Sequence, residues 1–88
     1  MISLSLPRVV GVANANQLVS ICSRIHNSTG PIELDCANVQ FFDPFGMTML
    51  VCALETIDPS RKISMPWLSP RTTSYLERMD FFEKLQVE

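Results

Sequence analysis

The residues able to do chemistry in this chain are few and dispersed. They are one histidine, His26, three cysteines, Cys22, Cys36 and Cys52, and two carboxylates bordered by apolar residues, Asp35 and Asp43. Asp35 and Asp43 can be imagined as an acid–base pair, but Asp43 has a simpler role as a helix cap. His26 stands near the end of a helical pattern, where a histidine faces solvent more readily than it catalyses. The cysteines are odd in number, have no CxxC or Cys/His ligand spacing, and each lies among apolar residues. They read as buried, reduced thiols in a reducing compartment. No Ser/His/Asp spacing, Gly-rich phosphate loop or metal-ligand cluster occurs. The expectation is a protein that is not an enzyme, with no catalytic residue, cofactor or metal.

The stretch with the most local information is FFDPFGMTML, residues 41–50. Asp43 can accept backbone N–H bonds from a following helical turn and suits the positive end of that helix. Pro44 fits the first helical position, where its missing N–H costs nothing. Gly46 permits close backbone approach. The corner therefore reads as a rigid strand-to-helix junction. Phe45, in the first turn, is expected to point outward, and with Phe42, Met47 and Met49 to form an exposed apolar patch of the kind that marks partner sites. The competing reading puts Phe42 and Met47 in the core and leaves Phe45 capping an edge.

These residues need elements to hold them. Ile2, Leu4 and Leu6 alternate with Ser3 and Ser5, the period of a strand with one apolar face. Pro7-Arg8 ends it, and residues 9–12 can form a short second strand with Gly11 as a bend. Asn14 or Asn16 can cap a helix over residues 16–27, whose stripe is Leu18, Ile21, Cys22 and Ile25. Ile32, Leu34 and Cys36 alternate with Glu33 and Asp35 in another strand. A helix over residues 44–57 carries Met47, Leu50, Val51 and Leu54 on one face. Residues 62–67 are a short strand candidate. Ser69 and Pro70 open a third helix with the stripe Tyr75, Leu76, Met79 and Phe82. Residues 85–88 are a last short strand candidate. Strands alternating with helices predict an α/β fold with parallel pairs: a small sheet of four to five strands with three helices packed mainly on one face.

The totals are compatible with that. At 88 residues, one domain spanning 1–88 is expected. With 47% apolar and 18% charged residues the composition is globular rather than disordered. The net charge of −2, with scattered arginines and lysines, argues against nucleic-acid binding. No run approaches the roughly 20 apolar residues of a membrane helix. Ala13-Asn14-Ala15 mimics a leader cleavage site but lacks a basic segment before it. A cytoplasmic protein without membrane insertion is expected.

Two stretches, IELDCANVQFFDPFGMTMLVCALE and ISMPWLSPRTTSYLERMDFFEKLQV, resemble the STAS domain, the sulfate-transporter and anti-sigma-factor-antagonist family. The likeness covers roughly residues 30–87: an "LD" strand, an Asp corner opening a helix, a further strand and an "SP" helix start. It implies a small mixed sheet with packed helices and a role in protein interaction in bacterial signal transduction. In antagonist members of the family, the serine after the Asp is phosphorylated by a GHKL-type ATPase that is also an anti-sigma factor. Here that position is Pro44, which has no hydroxyl, so the resemblance implies a non-phosphorylatable variant. Thr48 is the nearest hydroxyl and a weak substitute phosphosite, since it lies inside the helix. The family's last helix has no counterpart before Glu88, which leaves a face for a partner or a second copy, as in a homodimer. The implied partner is a GHKL-type kinase-like ATPase. The alternative is a STAS subunit docking on the nucleotide-binding ATPase of an ABC-type lipid transport complex. The expected partner-binding residues are Phe42, Asp43, Pro44, Phe45, Gly46, Met47, Met49, Cys52 and Thr56.

Overall fold

The computed structural model describes residues 1–85 and 87. Strand β1, Ile2–Ser5, lies parallel to β3, Ile32–Asp35, with Ile2 opposite Ile32 and Ser5 opposite Asp35. On the other side of β3 runs β5, Ile63–Ser64, also parallel, giving a three-stranded sheet of order β1-β3-β5. The period-two pattern sorts the two faces. Leu4, Ile32, Leu34 and Ile63 are buried, whereas Ser3, Ser5, Glu33, Asp35 and Ser64 are exposed or half-buried. On that open face the Ser3 hydroxyl donates to a Glu33 carboxylate oxygen at 2.7 Å.

A separate parallel pair joins β2, Val9–Val10, to β4, Phe41–Phe42. One mixed sheet was expected; there are two sheets, and every described strand pair is parallel. The reason is local. Pro7 cannot donate to the ladder after β1. At the matching level of β3, a turn follows, with the Asp35 carboxylate accepting from Ala37 N–H at 2.9 Å and Val39 N–H bonded to the Cys36 carbonyl. Both strands leave the first ladder together and pair again beyond it. Parallel pairing needs long crossovers. Helices α1, Ala15–His26, and α2, Pro44–Glu55, provide them and pack against each other.

Three local expectations are corrected. The second strand stops at Val10, and Val12–Asn14 form a short 3-10 helix. Asn14 occupies the cap position of α1 without capping it, because its amide donates to the Val9 carbonyl at 2.7 Å instead. The third stripe does not run through one helix. Helix α3, Pro70–Arg78, opens as expected, with Ser69 Oγ accepting from Thr72 N–H, but Asp80 takes the left-handed conformation at φ 60° and a short helix α4, Phe81–Lys84, follows. The break rotates the register, so Phe81 enters the core beside Phe42, with ring centroids 6.4 Å apart, and Met79 is left exposed.

Of residues 62–67 only Ile63–Ser64 form a strand, although the Pro66 carbonyl still accepts from Cys36 N–H at 3.0 Å. Of the strand expected over 85–88, Val87 makes an isolated parallel bridge to Ile63, and residues 86 and 88 lie outside the described residues. Among the described residues no helix is long and apolar enough to cross a membrane.

Candidate functional site

Asp43 sits where β4 becomes α2, and its two carboxylate oxygens do different jobs. Oδ1 accepts from Gly46 N–H at 2.7 Å, the expected helix cap. Oδ2 accepts from Val12 N–H at 2.9 Å, across to the junction that follows β2. One side chain thus ties together the starts of two segments remote in sequence. The Gly46 N–H above all, then the Val12 N–H and more weakly the Phe45 N–H, hold the Asp43 carboxyl below the usual carboxylate range against an opposing desolvation.

Glycines allow this closeness. A Cβ on Gly11 would run into the Asp43 carboxylate, and a Cβ on Gly46 would run into the Val10 carbonyl. Backbone pairing fixes the same point, since Asp43 N–H donates to the Val10 carbonyl at 3.1 Å. The first turn of α2 therefore rests directly on the backbone of β2.

This seating decides where the neighbouring side chains go. Phe42 is 1% exposed and belongs to the core, so it cannot form part of an exposed patch, contrary to expectation. Gly46 is buried against backbone, and Met47 is half-buried on the core side. Phe45 is 42% exposed and Pro44 is exposed. Phe45, Thr48, Met49, Cys52 and Ala53 of α2, with Cys22 of α1, line an apolar depression of about 430 Å³. Thr56 is not part of it. It lies past the end of α2 and lines a different depression with His26, Ile57, Asp58, Arg61 and Lys62.

The helix bearing this depression is uncharged from Pro44 to Leu54, yet only Gly46, Leu50 and Leu54 are buried. A helix apolar all round is normally covered on all sides. The surface around Phe45 and Cys52 is thus more apolar than exposed helix surface usually is.

The remaining chemical candidates fall elsewhere. Asp35 serves its own turn through Ala37, so both carboxylates are engaged by backbone N–H groups. His26 is exposed in the last turn of α1. Of the three thiols expected to be buried, only Cys36 is, and burial, with the nearby Asp35 carboxylate adding to it, pushes its thiol up to about 12. Cys22 is half-buried and Cys52 is exposed. Sequence reasoning missed Val12 and Gly11 as members of the corner and Cys22 as a member of the depression. Gly11 was visible only as a bend, and Cys22 fell on an apolar stripe that read as core.

Compared with known proteins, the chain matches no protein-family model, no curated protein and no solved structure.

Proposed function

We propose that the chain is a non-enzymatic protein-interaction module of the STAS type, acting in bacterial signalling in the cytoplasm. Its partner in this reading is a regulatory GHKL-type, kinase-like ATPase, bound through the 43–46 corner and the face of α2 that continues from it. The observation that carries the reading is Phe45. It is 42% exposed, it stands on a turn held by the Asp43 carboxylate, and it borders an uncharged apolar depression. A rigid aromatic beside a preformed apolar hollow is what an interface anchor requires, and a turn already locked lowers the ordering cost of binding. Pro44 carries no hydroxyl, so binding at this corner is not controlled by phosphorylation of that residue. The same feature favours the second reading, in which the module docks permanently on the ATPase subunit of an ABC-type lipid transporter.

The test is capture of partners by the wild-type chain and by Phe45→Ala, with thermal melts of both. An ATPase is expected with the wild type, and Phe45→Ala should weaken it at least tenfold, about 1.4 kcal/mol, while the chain stays folded and melts only modestly lower. The sequence of the captured ATPase separates the two readings. A collapse of the melting temperature with binding retained per folded molecule would show that Phe45 serves the core and that the partner binds elsewhere.

A further inference from the structure

We propose that Cys22 and Cys52, with Met49 as a third sulfur donor, form a binding site for the soft monovalent cation Cu(I). This goes beyond the docking reading and does not depend on it.

The two thiols are far apart in sequence and adjacent in the fold. Helices α1 and α2 pack together, and Cys22, Met49 and Cys52 line the same depression. The Cys22 thiol reaches across to α2, with Sγ 3.9 Å from the Met49 carbonyl oxygen. Met49 stands one turn before Cys52, so that carbonyl lies on the side of α2 from which Cys52 projects. Both are free thiols bordering the same depression.

The donor set selects the ion. The other lining residues are Phe45, Thr48 and Ala53, so no carboxylate, imidazole or amide side chain borders the hollow. Calcium and magnesium need several oxygens. Zinc takes four ligands in structural sites and three protein ligands in catalytic ones, from Cys, His and carboxylates. Among the described residues no three His, Cys, Asp or Glu side chains gather in this way. Two thiolates and a thioether are soft donors, which favour Cu(I), and this ion accepts two or three ligands without strain. Binding releases the two thiol protons and leaves the copper as Cu(I), with no change of oxidation state. Cys52 is exposed, which gives the ion an entry path.

The experiment is anaerobic titration of the reduced full chain with Cu(I)–bicinchoninate, following loss of the coloured complex. One copper per chain should be withdrawn. Cys22→Ser and Cys52→Ser should each weaken binding by at least about 100-fold, since changes even to groups behind the ligands of a metal site cost 10–100-fold. Met49→Leu should weaken it less and keep the stoichiometry, and Cys36→Ala should keep both affinity and stoichiometry. Circular dichroism establishes that each variant is folded. The proposal is overturned if the wild type withdraws no copper, if folded Cys52→Ser binds as well as the wild type, or if Cys36→Ala loses as much affinity as Cys22→Ser. No effect of Met49→Leu would remove the thioether from the site.

Discussion

Replacing Gly46 by alanine sets two physical effects against each other with opposite signs. In an open helix the change should stabilise by about 0.8–1.0 kcal/mol, the difference in helix propensity. At this position the added Cβ would overlap the Val10 carbonyl group and lie 2.8 Å from the Gly11 nitrogen. These are backbone atoms with little room to retreat. The Val10 carbonyl accepts from Asp43 N–H at 3.1 Å, and β2 is paired along its length with β4. Helix α2 cannot lift away without stretching the 2.7 Å bond from Gly46 N–H to Asp43. Overpacking that side chains can relieve costs about 1–3 kcal/mol, and a clash with fixed backbone belongs at the top of that range. Subtracting the propensity gain leaves a net loss of about 2 kcal/mol. For a domain of this size that is a fall in melting temperature of roughly 8–16 °C. Thermal unfolding followed by circular dichroism, beside Thr48→Ala as an exposed control on the same helix, measures it. A Gly46→Ala protein that melts above the wild type would refute the claim that the first turn of α2 rests on β2.

Asp43 carries an acid dependence of known sign. Its carboxyl is held below the ordinary value of 3.8, so its contribution to stability is fully present above that pH and is lost as the pH falls through the lower folded value. Asp43→Asn should therefore flatten the acid limb of urea-unfolding midpoints, though not abolish it, because Asp58 is shifted in the same direction by Ser60 N–H. An unchanged limb would show that the corner bonds do not favour the ionised form. Arg61 closes the loop after α1: Nε donates to the Gly30 carbonyl at 2.6 Å, Nη1 to the Ile25 carbonyl and Nη2 to Ser28 Oγ. Arg61→Ala should cost about 1.5–3 kcal/mol in urea unfolding, against a near-neutral Arg71→Ala at an exposed site; equal effects would mean that the clamp contributes nothing measurable.

What could be read from the sequence was what is encoded within a few residues. Alternation around Leu4 and around Ile32 and Leu34 fixed which strand faces enter the core. Ser69-Pro70 and Asp43-Pro44 marked helix starts through their own side-chain chemistry. The misreadings come from local conformations that residue type does not announce and from contacts between residues distant in sequence. The stripe Tyr75, Leu76, Met79, Phe82 satisfies an unbroken helix, and the left-handed turn at Asp80 uses a residue that tolerates that conformation without announcing it. The division into two sheets depends on Pro7 and the turn after Asp35 falling at the same height in neighbouring strands, a coincidence that only the pairing register reveals. The second bond of Asp43, to Val12, and the approach of Cys22 to Cys52 likewise join residues about thirty positions apart.

The same long-range bond explains why Phe45 remains outside. Full burial of a phenylalanine side chain gains about 1.5–3 kcal/mol, and a ring left 42% exposed forgoes part of that gain. Turning the ring inward would require rotating the first turn of α2 toward β2. That space is occupied by the Val10 carbonyl against Gly46, and the Asp43 carboxylate is held from the far side by Val12 N–H. Pro44 adds a fixed φ at the first helical position. The constraints that seat the helix are therefore also the ones that present the aromatic ring. Pro44 offers no hydroxyl for modification, so in the docking reading proposed above this rigid, apolar corner would present the ring continuously.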